Sequence, residues 1–111
     1  MKFIELNKSL KSDLRHLYVL QGDDAFLQNQ AINLIKAATI TDLEEFNFVK
    51  MDGNKLNKNE FIAQLETLPI VNEYRMLVVD TPANDICAYL QKYTLEDFQI
   101  VVLKNCKANF G

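Results

Sequence analysis

Three short runs of consecutive apolar residues constrain the fold of this chain more than any other feature. They cover residues 17–20, 76–79 and 100–103. Each run is brief and is bounded by polar or turn-forming residues, which indicates a β-strand that is buried on both faces. Strands of that kind occur almost only in parallel sheets whose two faces are covered by helices.

Segments with the spacing of amphipathic helices separate these runs. Residues 2–11 predict a short leading helix, and Asp23 or Asp24 is suited to cap the helix that follows the first run. The predicted buried face of that second helix consists of Leu27, Ala31, Leu34, Ile35 and Ala38.

Two more helices are predicted downstream. Asn57 and Glu60 have the spacing of a capping box at the start of one of them, and Pro69 ends it. Its predicted buried stripe consists of Phe61, Leu65 and Leu68. The predicted apolar face of the last helix consists of Ile86, Tyr89, Leu90 and Tyr93.

A less regular strand is predicted over residues 46–51, where aromatic and β-branched residues partly alternate with polar ones. The turn-forming residues Asp52, Gly53 and Asn54 end it. The order is therefore one helix, three strand–helix pairs and a final strand. This order predicts an α/β fold with a parallel sheet of about four strands, right-handed crossovers and helices on both faces.

Length and charge narrow the functional classes. The chain has 111 residues, which suits one compact domain. Its 12 basic residues are interleaved with 15 acidic ones for a net charge of −3, so direct nucleic-acid binding is not expected. The sequence has no stretch of about 20 apolar residues and no signal-peptide core, so we expect a cytoplasmic location and no membrane partner.

The residues that commonly carry chemistry are few and scattered. His16 is the single histidine, and no Ser-His-Asp arrangement is available to it. Cys87 and Cys106 fit no metal-ligand spacing and are interpreted as reduced structural or surface thiols. No catalytic, cofactor-binding or metal-binding residue is therefore predicted.

The glycine after the first strand, Gly22, invites comparison with phosphate-binding loops. That motif requires a second glycine, a lysine and a hydroxyl residue, but the segment after Gly22 runs Asp-Asp-Ala-Phe-Leu-Gln. Asp23 and Asp24 stand at a helix N-terminus, where their charge would repel a phosphate. We interpret this loop as a helix cap.

A receiver domain of two-component signalling is an alternative within the same fold class. Asp23 and Asp24 would form its acidic pair, Asp80 would accept the phosphoryl group, and Lys104 would follow the last strand. The chain offers four predicted strands where a receiver needs five, which counts against this alternative.

An apolar cluster at the end of the third predicted helix is the strongest candidate for a functional surface. Leu68, Pro69, Ile70 and Val71 stand together before a polar turn. From the residues alone, packing of Leu68 into the core and of Ile70 and Val71 at the end of the sheet is the favoured interpretation. An exposed anchor for a partner's pocket is the alternative.

Several segments, taken in order, resemble one family. Residues 17–27 are similar to the opening strand and loop of the delta subunits of bacterial DNA polymerase III clamp loaders. Residues 46–53 resemble their second strand with its Asp-Gly turn, and residues 67–69 and 75–79 resemble their helix end and third strand. The resemblance extends over roughly residues 15–104 and concerns the N-terminal domain of that subunit.

The resemblance implies an ATPase-like fold, of the P-loop NTPase or AAA+ type, without a functional nucleotide site, so no cofactor is expected. It implies that Leu68, Pro69, Ile70 and Val71 form a wedge that binds the sliding clamp, the beta subunit, and helps to open it without catalysis. Residues 1–111 would be a single N-terminal domain, a fragment of a longer subunit whose lid and collar domains contact other loader subunits. A free-standing interaction module of the same fold is the alternative.

Overall fold

The computed structural model describes residues 16–22 and 24–107. Its centre is a parallel four-stranded sheet. Its strands are β1 (Leu17–Val19), β2 (Phe48–Asp52), β3 (Arg75–Asp80) and β4 (Gln99–Lys104). They lie in the order β1-β4-β3-β2. In β3 and β4 every residue except the last is buried, as the continuous apolar runs predict. The leading helix predicted over residues 2–11 lies outside the described residues.

Helices cover both faces of this sheet. They are α1 (Ala25–Thr39), α2 (Glu44–Asn47), α3 (Lys58–Glu66) and α4 (Asn84–Lys92). Alternate residues of β3 face opposite sides, so that Met76 and Val78 pack with α1 while Leu77 and Val79 pack with α3 and α4. The predicted fold class is confirmed. None of the helices in the described residues is long and apolar enough to cross a membrane.

The starts of α1 and α3 follow the predicted capping chemistry. The Asp24 carboxylate accepts a hydrogen bond from the Leu27 N–H at 3.1 Å. The Asn57 side chain accepts one from the Glu60 N–H at 2.8 Å and donates one to the Glu60 carboxylate at 2.6 Å. Both caps pair N–H groups that have no partner within the helix, and they fix where each helix begins.

The buried face of α1 differs from the predicted one. Leu27 and Ala38 are exposed, and the buried residues are Gln28, Ala31, Ile32, Ile35 and Thr39. The two polar members of this face are hydrogen-bonded, because Thr39 Oγ1 donates to the Ile35 carbonyl at 2.8 Å and Gln28 binds the loop after β1. The prediction counted apolar spacing alone and therefore missed both.

The second strand begins two residues later than predicted. Residues 46–47 belong to α2, because the N–H groups of Phe46 and Asn47 both donate to the Leu43 carbonyl and wind the chain into a helical turn. The strand then runs beside β3, with Phe48 opposite Met76.

The turn after β2 brings Gly53 against the end of β3. The Gly53 N–H donates to the Asp80 carbonyl at 2.7 Å. A Cβ added at Gly53 would also lie 2.7 Å from that oxygen and would overlap the carbonyl group of Thr81. A glycine is therefore required in this turn, because any side chain would force the two backbones apart.

We expect Gly53→Ala to destabilise the fold by about 1–3 kcal/mol, because the added methyl group must displace the backbone of Thr81. Urea denaturation followed by circular dichroism measures the free energy of unfolding. Lys55→Ala, at an exposed position in the same turn, is the control and should change it by less than about 0.5 kcal/mol. Equal stability of the two variants would contradict the close approach of this turn to β3.

Candidate protein-binding site

Helix α3 ends before the last residue of its predicted stripe. Its final residue is Glu66, and the extended backbone of Thr67 leads the chain out of the helix. Phe61 and Leu65 are buried as predicted, whereas Leu68 is exposed. The prediction that Leu68 completes the buried stripe is wrong, because this residue lies outside the helix whose periodicity was used to place it.

Beyond this helix end the chain presents an exposed apolar cluster, at the edge of the sheet where the parallel strands begin. We call it the apolar tip, and it consists of Leu68, Pro69, Ile70 and Val71. Leu68, Ile70 and Val71 are 65%, 45% and 75% exposed. The interpretation that these side chains pack into the core or against the sheet is therefore wrong, and they are accessible to a partner.

The backbone of Val71 is strained. This residue adopts a left-handed conformation with a φ of 53°. For a β-branched residue such a conformation is sterically unfavourable, at a cost on the order of 1–3 kcal/mol. Burial of the side chain does not offset this cost, because the side chain faces solvent. Strained residues of this kind cluster at binding and catalytic sites, so Val71 supports a functional interpretation of the tip.

The first residues of β3 and β4 hold the end of α3. Arg75 Nη1 donates to the Gln64 carbonyl at 2.6 Å, and Arg75 Nη2 donates to the Gln64 side-chain oxygen at 2.9 Å. Gln99 Nε2 donates to the Leu65 carbonyl at 2.8 Å. Carbonyl groups in the last turn of a helix lack the regular N–H partner of a continuing helix, and besides Arg75 the Gln64 carbonyl has the Thr67 N–H at 3.3 Å, so these side-chain donors stabilise the helix end.

Arg75 also joins α2 to this helix end. Its Nε donates to the Phe46 carbonyl at 3.1 Å, and its Cζ lies 4.7 Å from the centre of the Phe46 ring. Burial lowers the pKa of the Arg75 guanidinium. Carbonyl oxygens and an aromatic face are partners that favour the charged form. One side chain thus fixes the positions of α2, α3 and β3 relative to one another.

Asn47 holds the middle of the apolar tip. Its side chain is fully buried. Its Nδ2 donates to the Ile70 carbonyl at 2.8 Å and to the Asp42 carbonyl at 2.9 Å, and its Oδ1 accepts from the Ile70 N–H at 3.0 Å. Both backbone groups of Ile70 are thereby paired without a neighbouring strand, which leaves the Ile70 side chain free to face outward.

Asn72 holds the far end of the tip in the same way. Its Nδ2 donates to the Thr39 carbonyl at 3.0 Å and to the Tyr74 carbonyl at 2.6 Å. Its Oδ1 accepts from the Thr41 N–H at 3.1 Å and from the Thr41 hydroxyl at 2.8 Å. The segment after α1 and the segment after the tip therefore lie side by side.

None of these three residues, Asn47, Asn72 and Arg75, was predicted from the sequence. A signal existed for two of them, because Asn47 stands between two phenylalanines and Arg75 begins a strand whose next four residues are apolar. Polar residues at such positions are usually paired when buried. Each of the three has at least one partner 11 to 33 residues away along the chain, so the sequence pattern alone did not reveal these bonds.

At the opposite edge of the sheet, where the strands end, several polar side chains form hydrogen bonds with one another and with the loops. Gln28 stands where a phosphate loop beginning at Gly22 would have its lysine. Gln28 Nε2 donates to the Gly22 carbonyl at 2.9 Å, and Gln28 Oε1 accepts from the Asn105 N–H at 2.9 Å. Asn105 Nδ2 in turn donates to the Asp80 carboxylate at 2.8 Å. The amide of Gln28 thus joins the loop after β1 to the loop after β4.

The receiver alternative is wrong on topology. Receivers have the strand order 2-1-3-4-5, in which the first strand lies between the second and the third. Here β4 lies between β1 and β3, and β2 is an outermost strand of the sheet. Asp80 and Lys104 do line one open cleft of about 600 Å³, but Asp24 caps α1 and Asp23 lies outside the described residues.

His16 and the two cysteines lie in surroundings that fit a role in the fold. His16 Nδ1 lies 3.0 Å from the Gln99 carbonyl oxygen. Cys87 and Cys106 are both buried thiols in the core on the α3 and α4 side of the sheet. Burial, together with the neighbouring thiol of Cys106, raises the pKa of Cys87 to about 11. No group of His, Cys, Asp and Glu side chains in residues 16–22 and 24–107 is arranged to hold a metal ion.

Known proteins share the fold described above. The family model described as DNA polymerase III, delta subunit, matches residues 18–105. The Bacillus subtilis DNA clamp loader delta protein has a similar structure, with a TM-score of 0.80 and 20% identity over 96% of this chain and 36% of that one. No curated protein matches the chain.

A second solved structure has the same fold. The DNA polymerase III gamma subunit-related protein from Thermotoga maritima superimposes with a TM-score of 0.69 and 10% identity, over 100% of this chain and 41% of that one. At these identities the two likenesses concern the fold. The chain spans less than half the length of either of these proteins.

We expect Asn47→Ala to lower the free energy of unfolding by about 1–3 kcal/mol, because it removes the partners of both Ile70 backbone groups. Urea denaturation measures the loss, and limited proteolysis should show faster cleavage within residues 67–73. Asn54→Ala, at an exposed asparagine, is the control and should have little effect. Unchanged protease resistance in Asn47→Ala would contradict the role of Asn47 in holding the tip.

The raised pKa of Cys87 predicts a loss of stability at high pH. The neutral thiol is favoured in the folded state, so its contribution is complete below the ordinary thiol pKa of 9.0 and is lost as the pH rises towards about 11. Urea denaturation between these pH values should show a steeper loss for the wild type than for Cys87→Ala. Identical pH slopes would contradict the raised pKa.

Proposed function

The chain belongs to the DNA polymerase III delta-subunit family, and on this premise we propose that it binds the sliding clamp through the apolar tip. The family acts in DNA replication as part of the clamp loader. One observation carries the proposal: the exposed apolar tip is held on a strained but hydrogen-bonded backbone at one edge of the sheet.

The position of the tip favours a protein partner over a small ligand. Small-molecule sites are concave, and in parallel α/β sheets they lie at the edge where the strands end. The tip precedes β3 and therefore lies at the edge where the strands begin. Its exposed side chains, Leu68, Ile70 and Val71, are suited to enter an apolar pocket on another protein.

The hydrogen bonds beneath the tip support tight binding. Ordering a flexible loop on association reduces affinity, because each immobilised side chain and backbone segment loses conformational entropy. Here Asn47 pairs both backbone groups of Ile70, and Asn72 fixes the residues after the tip. The backbone of the tip is thus already ordered before a partner arrives, and a smaller part of the interaction energy is needed to order it.

Clamp opening would result from binding without a chemical step by this domain. A protein shifts the equilibrium between a closed and an open ring only as far as it binds the open ring more tightly. A rigid tip that fits the pocket best when the adjacent ring interface is distorted would supply that difference. The proposed function is therefore clamp binding and ring opening, with no catalytic residue in this domain.

The proposal includes a place within a larger protein. This chain covers 36% of the B. subtilis delta protein. We propose that residues 1–111 act as the N-terminal domain of a longer subunit and that regions outside them contact the other loader subunits. Size-exclusion chromatography of the full-length subunit with its loader partners, compared with residues 1–111 alone, tests this part separately.

We expect the double variant Leu68→Ala/Ile70→Ala to lose clamp binding, because truncation of a buried interface anchor commonly costs about 2 kcal/mol or more. Isothermal titration calorimetry with the sliding clamp of the same organism, without nucleotide, measures the affinity. Stability should change by less than about 0.5 kcal/mol per substitution, because both side chains face solvent in the unbound domain.

Phe26→Ala is the matched control. Phe26 is 68% exposed, close to the 65% of Leu68, but it stands at the start of α1, at the opposite edge of the sheet. Its removal should leave clamp affinity unchanged. Failure of a well-folded wild type to bind the clamp would overturn the proposal and favour an interaction module with a different partner.

A further inference from the structure

A second segment lies directly beside the apolar tip. The residues after α1 are joined to the tip by hydrogen bonds from two asparagines. Asn72 Oδ1 accepts from both the N–H and the hydroxyl of Thr41. Asn47 Nδ2 donates to the carbonyls of both Asp42 and Ile70, so one nitrogen atom bridges the two segments. The residue after this bridge is Leu43 in one segment and Val71 in the other.

Leu43 occupies a position at which other residue types are strongly preferred. It is the N-cap of α2, it has a φ of 45°, and its side chain makes no capping hydrogen bond. N-cap positions favour Ser, Thr, Asp and Asn, and left-handed backbone favours Gly, Asn and Asp. Leucine meets neither preference, so the residue is unfavourable for the local fold on two counts.

Burial does not explain this leucine. Its side chain is 46% exposed, similar to Ile70 at 45%. The next helix is held by other contacts, since Lys36 Nζ lies 2.9 Å from the Glu44 carboxylate and Arg75 binds the Phe46 carbonyl. The position of α2 therefore does not depend on the Leu43 side chain alone.

Leu43 and Val71 share three properties. Each has a left-handed backbone, each exposes an apolar side chain, and each directly follows a carbonyl bound by Asn47 Nδ2. One buried amide thus fixes the backbone directly before both of these exposed and strained apolar residues. Strained residues cluster at functional sites, and here the strain falls at two exposed apolar side chains, which supports a contact outside the domain.

We propose that Leu43 is an additional anchor of the clamp-binding surface and contacts the apolar pocket, or its wall, beside Val71. This inference rests on the proposed function and extends it to a second segment of the chain. The expected partner surface is apolar where it meets Leu43, because the side chain has no polar atom with which to pair. Association would bury Leu43 together with Ile70 and Val71.

The variant Leu43→Asn tests this inference, because it makes opposite predictions for stability and for binding. Asparagine tolerates the left-handed conformation and can cap α2, so Tm should stay the same or rise. Clamp affinity should fall by about tenfold, the loss expected for an anchor worth slightly more than 1 kcal/mol. Isothermal titration calorimetry with the sliding clamp and thermal denaturation measure the two quantities.

Leu27→Asn is the matched control. Leu27 is 49% exposed, and it stands near the start of α1 at the opposite edge of the sheet. This variant should bind the clamp as the wild type does. An equal loss of affinity in Leu27→Asn would overturn the assignment of Leu43, because it would show a general effect of removing surface leucines.

Hydrogen exchange on the unmodified domain gives a second measurement that does not depend on the folding of a variant. The amides of residues 43–47 should exchange more slowly when the clamp is added. Unchanged exchange there, with slowed exchange in residues 67–73, would overturn the role of Leu43 and leave the proposed function intact. Absence of clamp binding by the wild type would instead overturn the proposed function itself.

Discussion

The end of helix α3 is held by hydrogen bonds from the sheet, and the position of the apolar tip depends on where that helix ends. Arg75 and Gln99 are the first residues of two adjacent strands and are directly opposite each other in the parallel register. They donate to carbonyl groups in the last turn of α3. Because the helix is held at this point, the residues after Glu66 leave it and form the apolar tip instead of another buried turn.

Side-chain amides, rather than a buried apolar face, hold the tip in place. Asn47 and Asn72 pair backbone groups that would otherwise lack partners, and apolar side chains can then face solvent on an ordered backbone. Left-handed conformations at Leu43 and Val71 are the cost of this arrangement. The same bonds bring together two segments that are separated along the chain by α2, β2 and α3.

The edge of the sheet where the strands end carries paired polar side chains, and the edge where they begin exposes apolar side chains. At the edge where the strands end, Gln28, Asn105 and Asp80 bind one another beside the loop in which an ATPase would hold phosphate. At the edge where the strands begin, apolar side chains are exposed. The exposed apolar side chains thus lie at the edge of the sheet that is opposite the loop after β1.

The sequence by itself determined the parallel sheet and the helix caps at Asp24 and Asn57, because these depend on neighbouring residues or on burial along a whole strand. It also indicated the tip as the place of interest. Only the tertiary structure decided that Leu68 is exposed and that α1 buries Gln28 and Thr39 in place of Leu27 and Ala38. Those outcomes depend on hydrogen bonds such as that from Asn105 to Gln28, whose partners are 77 residues apart, and the periodicity of a single helix carries no information about a partner so distant along the chain.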